Sequence, residues 1–221
     1  MSCHILLTID VEDWFQVENF KEYIPFDSWS SCELRVEKNT HRLLDLLDSV
    51  NFKFQVSSFK ISATFFILGW IAEKLPNLVK EIHARGHEVA SHGYYHNLCN
   101  DSSSDDLRKD LIDSKRLLED IIGDRVYGYR APSFSINAEV LKIIEDCGYL
   151  YDSSYNSFSM HGRYGQISLS QNGQKGIANK ILRTPHEKRE TRNPESSMSS
   201  PSAILNSLIR YSPGEGVDIF A

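Results

Sequence analysis

Two histidines four residues apart have the spacing of a possible metal site. His92 and His96 lie in the stretch "VASHGYYHNL". A neutral imidazole is a common protein ligand for zinc and similar ions, and this spacing lets both rings converge if the chain turns helically after a strand. The alternative is a pair of ordinary histidines at or near the surface, and an HxxxH match alone favours that alternative.

Three carboxylates occur within four positions near the start of the chain. Asp10, Glu12 and Asp13 belong to "TIDVEDW", directly after a short apolar run. Buried and unpaired, such groups would repel one another and take up protons, so a cation should lie nearby. A solvated strand end would explain the acids as well. Considered together with the histidines, they favour a divalent metal held by one carboxylate and two imidazoles, with coordination positions left open.

A third group of candidate residues lies further along the chain. Arg130 in "GYRAPSFS" offers a guanidinium that can pair with a carboxylate and keep it ionised and oriented. A surface arginine in a loop is the alternative. Asp152 in "YDSSY" and Trp70 after "TFFILG" are weaker candidates, and Trp70 is interpreted as a packing residue.

Short apolar runs alternate with amphipathic stretches over the first 154 residues. We predict strands at 4–9, 62–70, 87–92, 126–132 and 149–154, and helices at 35–50, 71–86, 102–123 and 137–148. This alternation predicts an α/β fold with a parallel sheet covered by helices, either open or closed into a barrel. In such folds catalytic groups gather where strands end: the acids follow the first predicted strand, His92 lies at the end of another, and Arg130 lies near the end of a third.

Composition and charge exclude several classes of protein. The chain has 221 residues, 41% of them hydrophobic and 24% charged, as in an ordinary globular domain. A net charge of −6 gives no reason to expect nucleic acid or an anionic membrane as partner. The four scattered cysteines form no CxxC pair, and no secretory signal or membrane-spanning run is apparent. We therefore expect a cytoplasmic protein of unspecified oligomeric state.

The order of the motifs resembles the polysaccharide deacetylase family, carbohydrate esterase family four. The matching segments are "LTIDVEDWF", "ATFFILGWIAEKLPNLVKEIHARGHEVASHGYYH", "GYRAPSFSI" and "GYLYDSS". They are most similar to the subgroup encoded with bacterial exopolysaccharide biosynthesis systems. The resemblance covers roughly residues 4–170 and implies an irregular (β/α) barrel.

The resemblance also implies a divalent metal, zinc above all, with His92 and His96 in the places of the family's histidine ligands. In the family two adjacent acids end the first strand, the earlier a general base and the later a metal ligand. Here the strand ends Asp-Val-Glu-Asp. Asp13 is favoured as ligand with Asp10 or Glu12 as base, and a register with Glu12 as ligand and Asp10 as base stays open.

Further roles follow from the same resemblance. Arg130 matches the arginine that orients the base, Pro132 belongs to the same motif, and Asp152 resembles the acid that polarises a catalytic histidine. The implied reaction removes N-acetyl groups from the amino sugars of a polysaccharide. A metal polarises the acetamide carbonyl, the base takes a proton from the attacking water, and a late histidine protonates the leaving amine.

The C-terminal part departs from the family. The late His-Pro-Trp-Glu-like signature has no counterpart, which leaves His161 and His186 as late histidines, and residues 183–202 have a composition typical of disorder. We therefore predict a deacetylase-like catalytic domain over 1–180, incomplete as a barrel, and a divergent, poorly ordered tail over 181–221. The change in character indicates a truncated or frame-altered C-terminus.

Three alternatives to a polysaccharide deacetylase are kept. The "DVED" spacing leaves room for an amide or ureide hydrolase on the same scaffold. The missing late histidine allows a degenerate copy that binds metal or glycan with little activity. An interaction module working through residues 183–202 rests on composition alone.

Overall fold

The computed structural model describes residues 6–53 and 61–156, all of which belong to one compact unit. Parallel strands and helices alternate along this part of the chain. The strands are β1 (Thr8–Val11), β2 (Thr64–Ile67), β3 (Glu88–Ser91), β4 (Gly128–Tyr129) and β5 (Tyr151–Asp152). The α-helices are α1 (Val36–Lys53), α2 (Gly69–Lys74), α3 (Pro76–Ala84), α4 (Ser104–Ile122) and α5 (Ala138–Asp146).

Several predictions concern residues outside the described ranges. They are the boundary between 180 and 181, the tail, and the late histidines His161 and His186. None of the described helices is long and apolar enough to cross a membrane.

The five strands form one parallel sheet in the order β1-β2-β3-β4-β5. An order that never reverses is that of a (β/α) barrel, whereas doubly wound sheets reverse direction at a switch point. The predicted α/β fold with a parallel sheet is therefore confirmed. Within the described residues the sheet is open, and its two edges are β1 and β5.

The sheet is strongly curved. Arg130 directly follows β4, yet its Nη1 lies 2.7 Å from Oδ1 of Asp10 on β1. In a flat sheet three strand spacings of about 4.8 Å would separate these strands by about 14 Å, beyond the reach of an arginine. The guanidinium also lies 4.2 Å from the ring centroid of Phe66 on β2. These contacts place Arg130 on the concave face of a barrel-like sheet.

Alternation along the strands separates two apolar clusters. Phe65 and Ile67 belong to the large cluster that the helices contribute to, whereas Phe66 packs with Ala90 and Tyr151 in a small second cluster. Successive side chains of a strand point to opposite faces, which explains the division. Trp70 is buried and packs edge-on against Phe15 and Trp29, so its interpretation as a packing residue is confirmed.

The structure refines the predicted helices. The single helix predicted over 71–86 is two helices, because Pro76 begins α3 at the position where a missing N–H costs nothing. Helix α4 is capped at both ends: the Ser103 hydroxyl accepts from Asp106 N–H, and Gly123 adopts φ +67°. Two short 3-10 helices, Glu18–Phe20 and Phe26–Ser31, fill the segment between β1 and α1 and were not predicted.

Asp13, the favoured metal ligand, is engaged elsewhere. Its Oδ2 accepts from Arg35 N–H at 2.7 Å and Val36 N–H at 2.9 Å, at the start of α1. Its Oδ1 accepts from Trp14 N–H at 2.9 Å. A buried carboxylate at a helix N-terminus satisfies donors that the helix cannot pair and interacts favourably with the helix dipole. The carboxylate of Asp13 is thus a cap that ties the end of β1 to α1.

We expect Asp13→Ala to lower the free energy of unfolding by about 2 kcal/mol, since two helix N–H groups lose their acceptor. Urea denaturation followed by circular dichroism measures this. The matched control is Asp27→Ala, because Asp27 is exposed and its loss should change stability by no more than about 0.5 kcal/mol. Equal stability of the Asp13 variant and the unmodified protein would contradict the capping role.

Candidate active site

The candidate catalytic and metal-binding side chains lie together at the carboxyl ends of the strands. Strand register pairs Val11 with Ile67, Ile67 with Ser91 and Ser91 with Tyr129. Three of the candidate residues directly follow these aligned ends, namely Glu12, His92 and Arg130. The sheet therefore brings together groups that are about 120 residues apart in sequence.

Glu12, His92 and His96 form a cluster that could hold a metal ion. Each offers one ligand atom, and these atoms all lie within 4.8 Å of one another. Both histidines are buried, and the side chain of Glu12 is 23% exposed. Within the described residues this is the group of histidine, cysteine and acidic side chains with that property.

The ring of His92 is oriented by the backbone. Its Nδ1 lies 2.8 Å from the carbonyl oxygen of Arg130, an arrangement in which Nδ1–H donates and Nε2 carries a free lone pair. Histidine ligands are commonly held by such a bond to the other ring nitrogen. Burial lowers the pKa of His92, outweighing the nearby carboxylates. The ring is therefore neutral near pH 7, as a metal ligand must be.

Glu12 and His96 approach each other closely. Oε2 of Glu12 and Nε2 of His96 are 2.8 Å apart, yet Oε2 has no hydrogen-bond partner with acceptable geometry among the described residues. Burial raises the pKa of Glu12, but the two histidines outweigh it and the pKa is lowered overall. An ionised carboxylate and an imidazole nitrogen directed at one point fit a shared cation.

The loop between the two histidines is held by side chains that the sequence did not single out. Ser91 Oγ accepts from Gly93 N–H at 3.1 Å, and Asp110 Oδ2 on α4 accepts from Tyr94 N–H at 2.8 Å. This support accompanies a left-handed backbone at His96, with φ +56°. The left-handed conformation of a non-glycine residue costs free energy, and the surrounding contacts must offset that cost.

Asp10 is held by the guanidinium described above. Besides Asp10, Arg130 donates from Nη2 to Thr8 Oγ1 at 2.9 Å and to Ser153 Oγ at 2.9 Å. Its Nε donates to the carbonyl oxygen of Ser153 at 3.2 Å. Arg130 thus gives the Asp10 carboxylate a cationic partner whose planar guanidinium is itself held by several hydrogen bonds, and this fixes the direction of the carboxylate. Thr8 lies on the same face of β1 as Asp10, because side chains two residues apart in a strand point the same way. The alternation in the sequence could therefore have predicted Thr8 as part of this site.

One cleft of about 230 Å³ contains both sets of groups. Asp10 and Glu12 line it together with His92 and His96. Ser133 and Phe134 also line it, and their φ angles are +49° and +52°. With His96, these are the described non-glycine residues in the left-handed region, and such strain concentrates at functional sites.

Asp152 does not contact a histidine within the described residues. Its Oδ1 accepts from Ser154 N–H at 2.9 Å and its Oδ2 from the Ser154 hydroxyl at 2.7 Å. Burial raises the pKa of Asp152 to about 6 in spite of these bonds. The role taken from the resemblance, polarising a late histidine, requires a partner outside the described ranges and stays a prediction.

Comparison with known proteins identifies the family. Residues 21–151 match the polysaccharide deacetylase family, and this chain belongs to it. A peptidoglycan-N-acetylglucosamine deacetylase of Bacillus cereus is 32% identical over 110 residues, which cover 50% of this chain and 47% of that protein. A peptidoglycan deacetylase-like protein of Gibberella zeae is 35% identical over 114 residues, 51% of this chain and 31% of that one. The chain thus spans about half the length of these relatives or less.

Solved structures agree with this membership. A Mycobacterium smegmatis protein, provisionally assigned as a polysaccharide deacetylase, superimposes with a TM-score of 0.53 and 28% identity over 67% of this chain and 50% of that chain. A peptidoglycan N-acetylglucosamine deacetylase in complex with an N-hydroxybenzamide gives a TM-score of 0.50 and 25% identity over 66% of this chain and 54% of that chain. These similarities support the parallel α/β fold.

Asp152 should make stability depend on pH. Its pKa rises from 3.8 to about 6 on folding, so between these values the folded protein holds a proton that the unfolded chain releases. Stability from this group therefore falls as pH rises through that window, by about 2–3 kcal/mol in total. We expect Asp152→Asn to reduce the fall in stability, measured by urea denaturation at pH 4.5 and pH 7; part of it remains, because burial also raises the pKa of Asp110 to about 6.

The exposed Asp120→Asn on α4 is the control, and it should keep the pH dependence of the unmodified protein. Parallel pH profiles for Asp152→Asn and the unmodified protein would show that burial does not raise this pKa.

Proposed function

We propose that the chain is a metal-dependent hydrolase that removes N-acetyl groups from the amino sugars of a polysaccharide. The observation that carries this proposal is the cluster of Glu12, His92 and His96 beside an aspartate held by Arg130. Family membership supports it, as do the names of the relatives, which are peptidoglycan deacetylases.

The proposed metal ligands are Glu12, His92 and His96. Glu12 replaces Asp13 in this role because the Asp13 carboxylate is occupied by the N-terminus of α1. One carboxylate and two imidazoles suit zinc and leave positions open for substrate and water, which catalytic sites require. The relative solved with an N-hydroxybenzamide is consistent with a metal, since a hydroxamate offers two oxygens to one cation.

The proposed general base is Asp10. A bound cation would polarise the acetamide carbonyl and lower the pKa of the attacking water. Asp10 would accept the proton of that water, and Arg130 would hold its carboxylate at the cleft. This assignment is the register with Glu12 as ligand and Asp10 as base.

The substrate proposal is a bacterial exopolysaccharide rich in N-acetylated amino sugars, on the strength of the motif resemblance. Peptidoglycan is the substrate that the names of the relatives favour. Release of acetate from both polymers, compared at equal acetyl content, separates the two. A cytoplasmic location stays a prediction from the sequence.

Metal binding should depend on Glu12 and not on Asp13. We expect Glu12→Gln and His92→Ala to weaken zinc binding at least about 100-fold, because even outer-shell partners of a metal change affinity about 10–100-fold. Isothermal titration with zinc measures this, with His83→Ala on α3 as the control. Loss of zinc binding in Asp13→Asn, with unchanged binding in Glu12→Gln, would return the ligand role to Asp13.

Turnover should depend on Asp10 without loss of metal. We expect Asp10→Asn to lower kcat for acetate release about 10²–10⁴-fold while zinc affinity stays within about threefold, because a base is lost and no ligand is. Circular dichroism must accompany this assay, since removing the partner of a buried guanidinium costs stability. Acetate release that survives removal of both His92 and His96 would rule out the proposed function.

A further inference from the structure

A relay of hydrogen bonds runs from a buried carboxylate to the ring of His92. It begins at Asp152, whose Oδ2 accepts from the Ser154 hydroxyl at 2.7 Å. The same hydroxyl oxygen accepts from the backbone N–H of Ala131 at 2.7 Å. That N–H belongs to the peptide bond whose carbonyl oxygen, contributed by Arg130, lies 2.8 Å from Nδ1 of His92. The relay therefore connects Asp152 to a proposed metal ligand.

The hydrogen bonds of the relay all have the same direction. Burial raises the pKa of Asp152 to about 6, so at pH 8 the group is ionised and can only accept. The one hydroxyl proton of Ser154 therefore points to Asp152, which leaves the oxygen lone pairs for the Ala131 N–H. A carbonyl oxygen also can only accept, so Nδ1 of His92 carries the proton and Nε2 keeps its lone pair. This is the tautomer that a metal at Nε2 requires.

The strand register places the members of the relay side by side. Tyr129 of β4 pairs with Asp152 of β5, so two residues further on Ala131 lies beside Ser154. Backbone bonding between the strands reaches Ser153, whose N–H donates to the Tyr129 carbonyl oxygen at 2.8 Å. At the following position the Ser154 hydroxyl accepts from the neighbouring strand in place of a backbone carbonyl. Ser154 is itself fixed, because its N–H donates to Oδ1 of Asp152 at 2.9 Å.

Water is excluded from the relay. The residues that form it are at most 9% exposed. In such surroundings each hydrogen bond polarises the next, because solvent does not screen the charge. The carboxylate makes the Ser154 oxygen a stronger acceptor, and the polarised peptide bond in turn makes the Arg130 carbonyl oxygen a stronger acceptor for Nδ1–H of His92. The lone pair on Nε2 then becomes a better electron donor.

We propose that Asp152 and Ser154 are positioning residues that act on the metal ligand His92 through this peptide bond. Metal-ligating histidines commonly donate their other N–H to a carboxylate or to a backbone carbonyl. Here the two are combined, since the carboxylate strengthens the carbonyl. The inference rests on the proposed function, because it takes His92 as a metal ligand. It gives Asp152 a role within the described residues that needs no late histidine.

Zinc affinity measures the effect on the ligand. In isothermal titrations at pH 8 we expect Ser154→Ala and Asp152→Asn each to weaken zinc binding about tenfold, the lower end of the range for groups that hydrogen-bond a metal ligand. The double variant should lose no more affinity than Ser154→Ala alone, because both substitutions interrupt the same relay.

The ring of His92 gives a second readout that needs no metal. Long-range proton–nitrogen NMR correlation spectra of the metal-free protein distinguish Nδ1–H from the unprotonated Nε2 of a neutral histidine. We expect the His92 Nδ1 proton to shift upfield in both variants at pH 8, because a weaker acceptor draws this proton less strongly. Loss of the resonance in His92→Ala assigns it.

Ser135→Ala is the matched control. Ser135 is as deeply buried as Ser154, and its hydroxyl oxygen also accepts from a backbone N–H, that of Cys99 at 2.9 Å. Its hydroxyl donates to the Pro132 carbonyl oxygen at 2.7 Å and not to a carboxylate. The control substitution should therefore lower stability to a similar extent and leave zinc affinity and the His92 resonance unchanged. Urea denaturation of each variant confirms that the folded state is populated.

The relay and the proposed function fail separately. An unchanged His92 resonance or unchanged zinc affinity in either relay variant would overturn the relay even if the protein releases acetate. Equal loss of zinc affinity in Ser135→Ala, or additive losses in the double variant, would overturn it as well. If the expected changes occur but the unmodified protein releases no acetate, the deacetylase proposal is wrong and the role of Asp152 and Ser154 is supported.

Discussion

The structure depends on the burial of one positive charge. Arg130 is 9% exposed, and a guanidinium removed from water must be paired and hydrogen-bonded. Its partners come from both edges of the described sheet, Asp10 and Thr8 on β1 and Ser153 after β5. These bonds can form together only if the sheet curves. The pairing of the buried charge therefore depends on the barrel-like curvature, and the bonds in turn stabilise that curvature. The same contacts fix the direction of the Asp10 carboxylate.

Arg130 also contacts both the proposed base and one of the proposed metal ligands. Its side chain holds Asp10, while its backbone carbonyl accepts from Nδ1 of His92. A shift of the chain at this residue would therefore move the proposed base and a proposed ligand together. A side-chain substitution removes only the first contact, since the carbonyl remains. Base orientation and ligand orientation are thus separable by mutation although one residue provides both.

The sequence predicted much of this site, because strand ends and their following residues are local features. His92, His96, Asp10 and Arg130 were found from short motifs, and the sheet brings them together. Strand alternation favours Glu12 over Asp13 as the partner of Asp10 in the site. Thr8, Asp10 and Glu12 lie on one face of the strand by the period of two, and Asp13 lies on the other face. The contact of Asp13 with the start of α1 is distant in sequence and could not be read from a motif. Asp110 was missed for the same reason, since it supports the histidine loop from α4.

The seven residues from Asp10 to Gln16, at the end of β1 and just after it, link these roles. Asp10 faces the guanidinium, Glu12 faces the histidines, and Asp13 caps α1. The backbone N–H of Asp13 in turn donates to Gln16 Oε1 at 2.7 Å, which fixes the chain after the cap. Because the cap fixes this backbone, the spacing between the proposed base Asp10 and the proposed ligand Glu12 is set by one short stretch of chain. A substitution that loosens the cap should therefore disturb the proposed base Asp10 and the proposed ligand Glu12 before it disturbs His92 and His96, because the histidine loop is held from β3 and α4.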